Sequence, residues 1–200
     1  MTANLCGVND KADTIQGVCH LIEQGRPSDA LECLEARYPF RPRREKRLSI
    51  SKAASLKIFI RDRFVDRYSR GRLIFAGSLK VITSVFPDRF PYHPHGRMDA
   101  AHMAYWELLP SIDHIQPIAL GGHHHQENMV TTSMRLNAIK ANWTLEEIGW
   151  TLYPLEEATD WDGLTGWFRR MVSRHPNLLE DQYIRGWATA LDSVVPIREG

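Results

Sequence analysis

The stretch Ile112–Lys140, IDHIQPIALGGHHHQENMVTTSMRLNAIK, decides how the rest of the chain is read. It opens on an Asp113-His114 pair, turns at Gly121-Gly122, and then carries Asn128, Asn137 and Lys140. Ile112, His114 and Gln116 alternate with Ser111, Asp113 and Ile115, and a two-residue period puts Asp113 and His114 on opposite faces of an ideal strand. For both to serve one site, the strand must end or twist there, and the nearby Pro117 is compatible with that. Gly121 to Glu127 predicts a turn or Ω-like loop, and Met129-Val130 a short strand. Thr131 to Ala141 predicts a helix with Met134, Asn137, Ala138 and Ala141 on one side. Asn137 then faces inward, where an amide is costly unless it bonds something, and Lys140 lies near it on the same surface.

Upstream the charge is concentrated. Residues 37–72 hold 13 Lys/Arg against three acids, in a chain whose formal net charge is only +1. Such asymmetry is the usual footprint of a nucleic-acid face. The alternative is a basic segment that pairs with the protein's own acidic parts. Tyr38–Arg47, with two prolines, reads as a basic connector presenting Arg41, Arg43, Arg44, Lys46 and Arg47. From Ser51 the pattern is helical, with Ala54, Leu56, Ile58 and Phe59 apolar. Phe64–Phe75 alternates around Ser69, Arg70 and Gly71 and predicts a hairpin that displays Arg70 and Arg72. Leu79–Phe86 predicts a short helix ended by Pro87. Phe90–Met98 is loop chemistry, and His102–Ile115 is strand-like around a break at Pro110. These basic elements are where DNA phosphates would be held.

The ends are helical. Residues 11–37 predict a hairpin of helices broken at Gln24–Pro27, with Ile15, Val18, Cys19 and Ile22 on one face and Ala30, Leu31 and Leu34 on the other helix. Thr144 and Glu147 form a capping-box pattern, starting a short helix that Gly149 ends. Asp162 can cap a helix bearing Trp167, Phe168, Met171 and Val172, and a last helix from Glu180 carries Tyr183, Ile184, Trp187 and Leu191. This acidic C-terminal part reads as a buttress. Three regions follow: 1–50, a helical hairpin and basic connector; 51–150, a core with a basic lead-in; and 151–200, the buttress. No apolar run is long enough to span a membrane, and the N-terminus lacks the pattern of a secretory signal. Three cysteines without a C-x-x-C fit reduced thiols, two of them in helix cores, and the expectation is a soluble, cytoplasmic protein.

The order D-H-I-x-P, Gly-Gly, Asn, then N-x-x-K resembles the HNH (ββα-metal, His-Me finger) endonucleases of bacterial restriction and defence. The match covers Ile112–Lys140 tightly and Phe59–Trp150 loosely. The resemblance implies an α+β fold with a ββα-metal core carrying helical N- and C-terminal additions. It implies Asp113 and Asn137 as metal ligands, His114 as general base and Asn128 as the residue that orients the loop and His114. A carboxylate and an amide oxygen suit one Mg²⁺ or Mn²⁺. Histidine, with an ordinary pKa of about 6.5, can take a proton from water near neutral pH. Lys140 and Arg135 would bind phosphate. The expected partner is DNA, double-stranded, with a possible homodimer for cutting both strands and no membrane. The plainer alternatives are a turn-capping Asp113, a core His114, an ordinary helical Asn137 and a solvated Lys140. The His123–His125 run is expected to be solvated, whether His93, His95 and His102 form an auxiliary site or contact substrate is left open, and Trp106, Trp143 and Trp150 are candidate anchors of the core. An RNA-cutting or structure-selective nuclease, a nucleic-acid-binding module and a zinc-dependent regulator are the other readings.

Overall fold

Helical periodicity at both ends of the sequence becomes helix in the computed structural model, which describes residues 10–40, 49–155 and 160–196. The fold is mixed α+β, mostly helical, with one two-stranded antiparallel sheet. Two compact units divide the chain, Met1–Arg44 and Glu45–Gly200. The connector residues Arg41, Arg43, Arg44, Lys46 and Arg47 lie outside the described residues.

In the first unit, α1 (Lys11–Glu23) packs on α2 (Pro27–Arg37). Asp10 caps α1 by accepting from the Ala12 amide at 2.8 Å, and Pro27 opens α2 where a missing N–H costs nothing. The buried positions are Thr14, Gly17 and Leu21 of α1 and Ala30 of α2. The expected apolar face is corrected: Ile15, Ile22 and Leu31 are 42%, 56% and 55% exposed, and Cys19 is exposed rather than in a helix core.

In the second unit, Ser51 caps α3 (Lys52–Arg61) through a bond from the Ala54 amide. Its Leu56, Ile58 and Phe59 enter a core shared with Phe64, Phe75, Phe168, Ile184, Trp187 and Leu191. Phe75 is the hub, edge-on to Phe168 and to Trp187 at centroid separations of 5.1 and 5.5 Å. Around it pack α4 (Ala76–Val85), α7 (Thr165–Arg174) and α8 (Gln182–Val194). Asp162 accepts from the amides of Leu164 and Gly166 ahead of α7, and Asp181 caps α8. Before α7 the backbone turns at Gly163 (φ +68°), where a Cβ would stand 2.4 Å from the Phe64 ring, so no side chain fits.

Several local expectations are corrected. Phe64–Phe75 limits its hairpin pairing to one antiparallel bridge, Val65 to Arg72, flanked by Leu73 N donating to Phe64 O and Asp66 N donating to Gly71 O, while the Asp66 carboxylate accepts the Tyr68 and Ser69 amides in the turn. His102–Leu109 contains the short α5 (Ala104–Glu107), started by the Ala104 amide bonding the His102 ring at 3.1 Å. Thr144 and Glu147 do bond reciprocally, but the segment stays a turn that reverses at Gly149 (φ +66°). Trp143 is 49% exposed, whereas Trp187 lies in the core.

The sheet pairs β1 (Pro110–His114) with β2 (Met129–Ser133) in a register running from Pro110↔Ser133 to His114↔Met129. Ser133 ends β2 and caps α6 (Met134–Lys140), accepting from the Leu136 amide. Both α3 and α6 pack on the two strands. Among the described residues the outer edge of β2 meets no third strand. Its Thr131 and Ser133 amides bond the carboxylates of Asp62 and Asp66, each at 2.7 Å, and the Arg67 amide bonds Thr131 O. Asp62 is paired in turn with Arg61 and Arg67.

Candidate functional site

Asp113 lies one residue before the end of β1 and is only 5% exposed. A carboxylate there needs partners. Its Oδ2 accepts from the Tyr68 hydroxyl at 2.6 Å and from Lys140 Nζ at 2.8 Å. Lys140 Nζ also donates to His114 O at 2.8 Å, so one ammonium ties the Asp113 side chain to the end of the strand. Burial first, then the charge of Asp113 and the bond to it, push the Tyr68 phenol far above its usual range, so Tyr68 is a permanent donor. Lys140 is fully buried. Its expected contact with phosphate is therefore corrected: the cation faces inward because Asp113 and the strand end are its counter-groups.

Asn137 sits one turn earlier on α6. Its Nδ2 donates to Ser111 Oγ at 2.6 Å and to Ile112 O at 3.1 Å, which fixes the amide's orientation, since a carbonyl can only accept. The helix thus docks on β1 through Asn137 and Lys140, whereas Ala138 and Ala141, expected beside Asn137, are exposed. Polar contacts with the strand, rather than an apolar stripe, set the helix's rotation.

Between the strands, Asn128 holds the loop closed. Its Oδ1 accepts from the Gln116 amide at 2.8 Å, and its Nδ2 donates to Gln116 O and His123 O, each at 2.9 Å. Gly122 is required inside this clamp: a Cβ would come 1.9 Å from Gln116 O. The closed loop returns His124 over His114, with Nδ1 3.2 Å from His114 Nε2. His114 is 7% exposed. The histidine run, expected to be solvated, therefore contributes one residue to the site. Neither His124 nor Tyr68 carries a sequence signal of its own, because each meets its partner only through loop closure or across 45 residues.

Asp113, His114, Asn137 and Lys140 thus gather at the end of β1, and Asn128 supports the loop beside them. The other predicted residues lie elsewhere. Arg135 is exposed on α6, and Arg70 and Arg72 are exposed with their guanidinium groups 4.5 Å from the Tyr153 ring and 4.9 Å from the Trp161 ring. His93 and His102 use Nδ1 to accept the amides of His95 and Ala104.

Among the described residues no three His, Cys, Asp or Glu side chains gather to hold a metal ion. The donor pair at the end of β1 is smaller, one carboxylate and one amide. Both bonds to Asp113 end on Oδ2 and both from Asn137 leave Nδ2, so each residue retains an oxygen outside these bonds. Carboxylate and amide oxygens are of the hard type that Mg²⁺ and Mn²⁺ take. Comparison with protein-family models, with curated proteins and with solved structures finds no match.

Proposed function

We propose that the chain is an HNH-type endonuclease with a ββα-metal core that hydrolyses DNA phosphodiester bonds, using one Mg²⁺ or Mn²⁺ per site, in bacterial restriction or phage defence. One observation supports this most. Two antiparallel strands run directly into a helix whose Asn137 and Lys140 reach back to the residues on either side of Asp113 and to Asp113 itself.

Asp113 and Asn137 would hold the ion, which when bound supplies Lewis-acid pull on the phosphate and charge for the leaving 3′ oxygen. Tyr68 and Lys140 fix the Asp113 carboxylate, so its remaining oxygen keeps one direction. His114 takes the proton of the attacking water at a ring nitrogen, and His124 restrains rotation of that ring. Asn128 keeps the loop closed so that this pair persists.

A second reading, a nucleic-acid-binding module without catalysis, is favoured by one feature. Lys140 already neutralises Asp113 with no ion needed. Plasmid incubation separates the two. With Mg²⁺ or Mn²⁺ the chain is expected to nick or linearise supercoiled DNA and chelation to stop it. His114→Ala is expected to lose about 10²-fold or more, the scale of general-base catalysis. Equal rates in the two proteins would remove His114 as the base, and binding without cutting under every metal would select the module.

A further inference from the structure

We infer that the second unit carries a pocket for an unpaired nucleobase, between the 68–70 turn, α6 and the 149–153 segment. The cavity is about 320 Å³ and is lined by Tyr68, Ser69, Leu136, Trp150 and Tyr153 with the backbone of Gly149 and Thr151. That is at the small end of the roughly 300–1,000 Å³ over which ligand pockets range.

Its walls are chosen for a flat ring. The Tyr68 and Trp150 rings stand 5.5 Å apart at 49°, leaving their faces inclined toward one another rather than closed into a stack. Nothing lies within 4 Å of a Cβ built at Gly149, so the rim is open there. Among the described residues, no acidic side chain lines it. The exposed Arg70 has its guanidinium carbon 4.5 Å from the Tyr153 ring centroid, and Arg135 is exposed next to Leu136 in the chain. Aromatic faces with arginine at the margin suit a base whose phosphate stays outside, because every base has a π-face and every nucleotide a negative charge.

The pocket shares a residue with the proposed cleavage site. The Tyr68 ring lines the cavity while its hydroxyl bonds Asp113 at 2.6 Å. A base seated against Tyr68 would therefore belong to a nucleotide close to the scissile phosphate. This adjacency rests on the nuclease reading; the base site itself does not. A base stacked in a duplex cannot enter, so the substrate class it selects is single-stranded or locally unpaired nucleic acid.

Tyr153 allows a clean test. Its backbone is pinned independently of its ring, with Tyr153 N donating to Arg67 O and Arg67 Nε donating to Tyr153 O. Binding of the full chain to a short labelled single strand is measured by fluorescence anisotropy in EDTA, where no cleavage occurs. The same strand with abasic sugars and the corresponding duplex are measured beside it. Tyr153→Ala is expected to weaken binding of the base-bearing strand by about fivefold or more, to leave the abasic strand unchanged, and to be rescued by Tyr153→Phe. Arg70→Ala is expected to weaken both strands. Equal losses for both strands in Tyr153→Ala, no loss in either, or duplex bound as tightly as single strand would overturn the pocket. Metal-dependent cutting by the same preparations, with His114→Ala beside them, reports on the nuclease reading separately.

Discussion

At the residue scale, burial rather than pairing makes ionisation costly for a hydroxyl inside the protein. Tyr105 is 4% exposed and shares a 2.7 Å hydrogen bond with Thr83, and burial pushes its phenol up from 10.0 to about 12. A raised phenol stabilises the fold fully below the unfolded value, and the contribution disappears as pH rises from about 10 toward 12. In that window the unfolded chain has released a proton that the folded chain still holds, so alkali favours unfolding. Melting temperature against pH is expected to fall less steeply there for Tyr105→Phe than for the native chain; parallel curves would contradict this. Pairing, by contrast, explains Lys140. From the sequence it is one lysine on a short helix, and its spacing cannot reveal a carboxylate and a strand carbonyl 26 residues away that draw it wholly inside.

At the element scale, legibility follows the range of the forces that form each element. The Asp162 cap, the helical start after Ser51 and the inner face of α8 were readable because their partners lie within a few residues, whereas the α8 cap is Asp181, one residue beyond the expected start at Glu180. The β1–loop–β2–α6 order was readable from Gly121-Gly122 and the alternation before Pro117. The Phe64–Phe75 turn was readable in outline, but its docking on β2 was not, since the Asp66 carboxylate bonds Thr132 and Ser133, 66 and 67 residues on. The rotation of α6 was missed for a like reason: Asn137 and Lys140 answer to β1, not to a stripe along the helix. The Asn128 clamp gives this scale its prediction. Asn128→Ala removes three bonds that close the loop, which are expected to be worth about 1–3 kcal/mol together with the groups left unpaired. Amide exchange between Gln116 and His125 is expected to accelerate while the core helices keep their protection; uniform loss of protection would mean that the clamp holds the whole unit and not the loop alone.

At the scale of the whole second unit, the basic segment proves to be divided in its work. Arg61 and Arg67 are spent internally on Asp62, on the carbonyls of Gln126 and Met129, and on Tyr153 O, whereas Arg70 and Arg72 remain at the surface. The two acids embedded in that segment, Asp62 and Asp66, are each 1% exposed, and they join the loop after α3 to β2. Asp62→Ala leaves two arginines and a strand amide without their common acceptor, and urea unfolding is expected to show a loss of roughly 3–5 kcal/mol. A loss within about 1 kcal/mol would place the pair among surface contacts of little weight. The carboxylates also have a consequence for solubility. An unpaired strand edge is a template on which another chain can add a strand, and most proteins hide it with a further strand, a bulge or a proline. Here two side-chain carboxylates occupy the outward amides of Thr131 and Ser133, so this edge of β2 offers an incoming strand no free donors at those positions. Aggregation resistance is thus vested in the same two aspartates that join the loop to the sheet.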